Sequence, residues 1–217
     1  MKRLLVVFVL TLTVLLCACR AVGIDQIAVD GTQAIAPTET AVTTPAPTAE
    51  PSPQPVENAA EVFGKMGGEF MFASGAGAWS TTLNVHADGR FDGLFHDSDA
   101  GVPGTNYYNG VKSLCAFSGT LGRLERINDY TYSVRIEAIQ YENEPDTNEF
   151  KDGVKYRYTT PYGLEGAEEI LIYTPDAPVE QLPERFLFWA SRIHSVEGTV
   201  LGSYGLYNVK EEYGFIQ

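Results

Sequence analysis

The sequence predicts an all-β fold: an antiparallel β-barrel or curved sandwich with one short helix in its C-terminal region. Three observations carry that expectation. From about residue 61 onward, short apolar–polar alternations recur as half-buried strands require. Gly, Asp and Asn punctuate them at turn spacing. One hairpin can be put in register from its side chains alone.

Strands are expected near 68–74, 78–87, 90–97, 114–127, 130–141, 153–159, 168–174, 200–209 and 212–216. Between the second and third, a two-residue loop at Asp88-Gly89 would set Val85 against Asp92 and His86 against Phe91, mixing the faces. A three-residue loop, Ala87-Asp88-Gly89 with Gly89 left-handed, instead pairs Val85 with Phe91, Leu83 with Gly93 and Thr81 with Phe95. Trp79 joins this apolar face. The other face, pairing His86 with Arg90, Asn84 with Asp92, Thr82 with Leu94 and Ser80 with His96, is mostly polar.

A second hairpin is expected where Leu121 to Ile127 meets Tyr130 to Ala138 across Asn128-Asp129. On its return strand Tyr130, Tyr132, Val134, Ile136 and Ala138 alternate with Thr131, Ser133, Arg135 and Glu137. The period then changes near the C-terminus. Leu182, Phe186, Trp189, Ala190 and Ile193 share one helical face, and Pro183 suits a first turn, so the one substantial helix is expected there.

Upstream of the domain the chain has two further zones. Met1-Lys2-Arg3 precedes an apolar run, Leu4 to Leu16, that is too short to span a bilayer but has the order of an export signal. Leu16-Cys17-Ala18-Cys19 resembles a lipobox, which implies cleavage after residue 18 and a lipid on Cys19. Loss of Lys2 and Arg3 would take the formal net charge from -13 to -15. From Arg20 to Ala60 lie six of the chain's twelve prolines and no aromatic residue, a composition unable to bury a core. The expected layout is therefore a signal peptide at 1–18, a lipidated cysteine and Pro/Thr/Ala-rich stalk at 19–60, and one β domain at 61–217.

Two resemblances bear on that domain. Phe72 to Trp79, Asp88 to Gly93, His96 to Asp99 and Tyr204 to Val209 resemble a group of lipoproteins from Gram-positive gut anaerobes. This likeness implies the lipid, stalk and domain layout, and implies no activity. Gly77-Ala78-Trp79, with Asn128-Asp129-Tyr130 after it, is similar to the Gly-x-Trp strand start and the later turn of lipocalin-like barrels, which implies a small antiparallel barrel.

Chemistry-bearing residues are sparse. With Cys17 removed and Cys19 acylated, Cys115 would be left alone, a buried small hydrophobe within a strand. The three histidines, His86, His96 and His194, cannot gather on one zinc ion, because the first two sit at opposite ends of their hairpin. Gly-x-Ser-x-Gly, His-Glu-x-x-His and phosphate-loop motifs are absent. In His96-Asp97-Ser98-Asp99-Ala100-Gly101, Asp97 and Asp99 are candidate ligands for a weak calcium ion, though the downstream acid of a calcium loop is missing; the competing expectation is a turn in which both cap backbone amides. No other cofactor is expected. Acid pairs drawn from Asp92, Glu125, Glu165 and Glu168 stay open as hydrolytic candidates.

Tyrosines are the other candidate surface. Tyr107, Tyr108, Tyr156, Tyr158 and Tyr204 are expected near strand ends or loops, where a ring with a hydroxyl can stack on a sugar or anchor a partner. The acidic balance and the lack of a basic stripe argue against nucleic acid. The expected function is a non-enzymatic binding or interaction module held at the extracytoplasmic face of a membrane by its lipid, its ligand a small molecule, glycan or protein. The alternative is an extracytoplasmic hydrolase acting on cell-wall or dietary polysaccharide.

Overall fold

The structure, a computed structural model, describes residues 52–217, which fold as a curled β-sheet with two short helices. The segment holding Cys19 lies outside the described residues. In chain order the elements are β1 (Gln54–Pro55), α1 (Ala59–Lys65), β2 (Glu69–Ala73), β3 (Trp79–Val85), β4 (Arg90–Asp99), β5 (Val111–Leu121), β6 (Glu125–Arg126) and β7 (Thr131–Val134). There follow β8 (Ile136–Tyr141), β9 (Asn148–Lys151), β10 (Val154–Tyr158), β11 (Ile170–Tyr173), α2 (Glu184–Ala190), β12 (Gly205–Asn208) and β13 (Tyr213–Ile216).

The β3–β4 hairpin has the register that face-sorting demands: Val85 opposes Phe91, Leu83 opposes Gly93 and Thr81 opposes Phe95. Gly89 closes it at φ 80°, a conformation that L side chains avoid. Beyond this hairpin the strands continue in a circuit. From β8 the pairings run through β5, β4, β3, β2, β13, β12 and β11 to β7. Only Arg135 separates β7 from β8, so one bent strand ties the two ends of the curled sheet together. The weakest seam is β2 with β13, which share a single register pair, Met71 with Ile216.

Two apolar layers result. Inside the curl, Phe70, Phe72, Leu83, Phe91, Ile172 and Phe215 belong to the main core. Outside it, α2 lays Phe186 and Ala190 over β12 and β13, with Leu182, Tyr207 and Ile216 in the same cluster. The close approach of α2 depends on bare backbone, because a Cβ on Gly205 or Gly214 would stand 2.4 or 2.9 Å from the Phe186 ring. Strands β11 to β13 are thus covered on both faces, which is why they read as near-continuous apolar runs.

Four expectations need correction. The stalk was expected to reach residue 60, but β1 already pairs with β6 at Gln54–Arg126, and α1 begins at Ala59. That helix was not expected at all. It buries Phe63 and Met66 in the main core at the Gly89 end of the curl, so the domain needs it as a floor. The sheet is not wholly antiparallel, since β10 runs parallel to β5 after the β9–β10 hairpin returns the chain to that edge. Finally, the alternation expected across 130–138 slips by one residue. A register shift opposite Thr120 and Leu121 leaves Ala138 exposed and turns Ile139 and Tyr141 toward the core, while Thr131 and Ser133 are buried on the covered face of β7.

Candidate functional site

At the end of the curl opposite α1 there is a recess of about 360 Å³. Its walls come from separate parts of the chain. Trp79 starts β3; Phe95 and Asp97 lie on β4, Ser113 on β5 and Arg157 on β10; Thr159, Thr160, Tyr162 and Glu165 come from the segment that follows. Cross-strand register explains the sheet side: Trp79, Asp97, Ser113 and Arg157 stand opposite one another in a single row. Residues paired in this way project to the same side of a sheet, so the row continues the inner face outward from the core.

The loop side is built by buried polar anchors. Thr81, fully buried, donates its hydroxyl to the Tyr162 carbonyl at 2.5 Å. Asn208, 1 % exposed, donates its amide to the carbonyls of Gly163 at 3.0 Å and Glu165 at 3.2 Å. Gly163 has φ 102°, and a Cβ there would meet the rings of Phe72 and Phe215 at 2.6 and 2.8 Å. The loop is therefore wedged into the curl by contacts that only glycine allows. An unmade hydrogen bond at either buried anchor costs about 1–3 kcal/mol, so these bonds hold the loop in one place.

Aromatic packing stiffens the apolar wall. The Phe72 ring lies 4.8–5.2 Å from the rings of Trp79, Tyr162, Trp189, Tyr213 and Phe215, and Trp79 meets Tyr162 at 4.8 Å and 66°. Each such pair contributes about 0.5–1.5 kcal/mol beyond area burial, enough to hold the rings before any ligand arrives. Trp189 enters this cluster from α2, where β2 and β13 part.

The polar wall carries both signs of charge. Arg157 donates from Nε at 3.2 Å and Nη2 at 2.8 Å to the Ser113 hydroxyl. Among the described residues Arg157, Asp97 and Glu165 take part in no ion pair. Glu165 accepts the Gly163 amide at 2.6 Å, yet burial outweighs that bond and pushes its carboxyl up from the usual range. Burial, with help from Tyr213, takes the Tyr162 phenol to about 12. Cys115, 4 % exposed in the core, is raised to about 11 by burial and then by Glu165, and stays a thiol at neutral pH.

A second depression of about 450 Å³ lies on the outer face, between His86, Asp92, Ser118 and Gln140. Its one carboxylate is already engaged: His86 Nε2 meets Asp92 Oδ1 at 2.6 Å, and Asn84 donates to the same carboxylate at 3.4 Å. The recess at the open end joins a rigid aromatic wall to unpaired charges, and is the better candidate.

The residues expected from sequence are dispersed. Tyr107 and Tyr108 flank the β9–β10 hairpin, Tyr107 with its ring 5.9 Å from that of Phe150 and Tyr108 lying over Gly153. Tyr156 and Tyr158 project from the other face of β10, where the Tyr158 hydroxyl donates to Glu149 at 2.8 Å. Tyr204 lies elsewhere, beside Lys65 and Tyr132. The five form no single site. Asp97 and Asp99 do not sit in a turn either: β4 runs through both, and the chain turns only at Ala100-Gly101. Asp99 accepts the Gly101 amide at 2.9 Å, whereas Asp97 faces Trp79 and Ser113 across the sheet. Among the described residues no three His, Cys, Asp or Glu side chains are grouped as a metal ion would require.

Of the acids considered for hydrolysis, Glu165 enters the recess, and its companion there is Asp97. Glu168 pairs with Lys210 on the surface, Glu125 lies in β6, and Asp92 belongs to the outer face. Arg157 and Ser113 were not singled out by sequence reasoning. The signal existed in the alternation of Lys155-Tyr156-Arg157-Tyr158, but only the β5–β10 pairing shows which face is inward. Comparisons with known protein families, with curated proteins and with solved structures return no match.

Proposed function

We propose that this chain is an exported lipoprotein, anchored through Cys19 at the extracytoplasmic face of a membrane, whose β domain binds a saccharide in the recess at its open end without transforming it. The carrying observation is the pairing of a preformed Trp79–Tyr162 wall with Arg157, Asp97 and Ser113 around one concavity. A sugar ring has apolar C–H faces and a rim of hydroxyls, so it needs both kinds of wall at once. Binding sites of this class are largely preformed, with a few placed polar groups fixing orientation. The export signal and lipobox support the location, and the Pro-rich segment supports a domain held clear of the bilayer. Among the described residues no helix is long and apolar enough to cross a membrane.

The test uses tryptophan emission from the full chain in mild detergent. The two tryptophans, Trp79 and Trp189, share one aromatic cluster. A panel of neutral and acidic oligosaccharides is expected to include one that shifts the emission saturably, with the response lost in Trp79→Ala and kept in Trp189→Phe. Absence of any saturable response across the panel would refute the reading.

One observation favours a second reading, a hydrolase. Asp97 and Glu165 line the same recess, and a carboxyl raised by burial suits a general acid. Release of reducing ends by the wild-type chain, abolished in Glu165→Gln while the emission response persists, would favour hydrolysis over simple binding.

A further inference from the structure

The recess does not end at Arg157. Two residues earlier on β10, Lys155 projects to the same side of the sheet, because side chains on a strand alternate. Lys155 stands opposite Val111 on β5 and Phe150 on β9, and Val111 stands opposite Asp99 on β4. A second row, Asp99, Val111, Lys155 and Phe150, thus runs beside the row that lines the recess. The Lys155 ammonium lies 5.8 Å from the centre of the Tyr107 ring, and that ring is 5.9 Å from the ring of Phe150, a side chain 54 % exposed. From β4 to β9 the two rows cross three strand spacings, roughly 14 Å.

On a chain of formal net charge -13, this strip places two cations on one side of a single strand. Among the described residues neither Arg157 nor Lys155 has an ion-pair partner, although the acidic surface offers many. Both cations stand on β10, between an acidic bank on β4 formed by Asp97 and Asp99 and an aromatic bank formed by Tyr107 and Phe150. Each bank selects. Carboxylates of a ligand are repelled by β4 and drawn to β10, while its hydroxyls donate to Asp97 and Asp99 and its ring faces lie on aromatic surface at either end.

We infer that the recess is the closed end of a longer track that binds an acidic oligosaccharide, with uronate-type carboxylates on Arg157 and Lys155 and sugar faces on Trp79 at one end and Phe150 with Tyr107 at the other. This rests on the reading of the recess as a saccharide site. It adds the charge of the ligand, the residues that read it and the direction in which the chain of sugars leaves the recess.

The probe is a galacturonate tetrasaccharide, set against its methyl-esterified form, which differs only in having its carboxylates neutralised. With the full chain in detergent, the acid form is expected to shift tryptophan emission saturably, and its affinity should fall as salt rises. Arg157→Gln and Lys155→Gln are each expected to weaken it about tenfold, one charge-assisted contact apiece. Phe150→Ala should weaken both forms, and unchanged far-ultraviolet dichroism would show that the variants are folded. Equal binding of the two forms, or an unaltered affinity in Lys155→Gln, would overturn the acidic track while leaving the saccharide reading intact. Binding confined to other, neutral members of the panel would do the same. No response to any saccharide would overturn both.

Discussion

At Gly89 one torsion closes the β3–β4 hairpin. Its φ of 80° is set by the three-residue loop, and a Cβ there would also stand 3.2 Å from the Phe63 ring. Gly89→Val is therefore expected to lower stability by about 1–2 kcal/mol, read as a lower urea midpoint with an unchanged slope. Glu165 illustrates the opposite case, a residue kept at a cost in stability. Burial raises its carboxyl in the folded state, so folding favours the protonated form. The sign follows: this group opposes folding above its folded-state pKa, and the cost vanishes below the ordinary carboxylate value of about 4.3. Glu165→Gln, which is neutral throughout and keeps an oxygen for the Gly163 amide, should raise Tm at about pH 7.5 and leave it unchanged near pH 3.5. An equal gain at both values would show that charge is not the cause.

Among the elements, α1 shows how much a two-turn helix can carry. Isolated, seven residues cannot hold a helix in water. Asn58 caps it by accepting the Glu61 amide at 3.3 Å, and the Asn58 side chain donates back to Glu61 at 3.4 Å, but the larger contribution is the burial of Phe63 and Met66. Phe63→Ala is expected to cost about 3–5 kcal/mol, as other buried aromatic truncations do, and to be measurable by urea unfolding. A loss below 1 kcal/mol would mean that the floor of the curl closes without the helix. At the C-terminal side, α2 has a different task. Its Phe186 covers the outer face of β12 and β13, and its Trp189 reaches around into the inner aromatic cluster and donates Nε1–H to the Glu212 carbonyl at 3.1 Å. It seals the seam where β2 and β13 share one register pair.

For the molecule as a whole, the layout joins a proposed lipid anchor to a domain whose core needs no disulfide. Cys115 is free and buried, so apolar layers on both faces of β11 to β13 supply what cross-links supply in smaller exported domains. Cys19→Ala is expected to abolish incorporation of radiolabelled fatty acid and to release the protein from the membrane fraction, whereas Cys17→Ala should do neither. Labelling that survives in the Cys19 variant would place the anchor elsewhere.

Local patterns determined a large share of this protein. The alternation of side chains located the strands, the demand that one hairpin sort its faces set the β3–β4 register, and helical spacing after Pro183 marked α2. These features are legible because each depends on residues close in sequence, with period 2 or 3.6. Other features were decided only by the tertiary structure. The α1 floor begins inside a stretch whose composition reads as stalk, and its capping signal, Asn58 three residues before Glu61, gains meaning only when Phe63 finds the core. The slip at Glu137 depends on how β8 pairs with β5, and the parallel β5–β10 pairing depends on where a hairpin docks. The recess unites Trp79, Asp97, Ser113, Arg157 and Glu165 across 86 positions of chain. No periodicity links residues that far apart; the closing of the sheet brings them together.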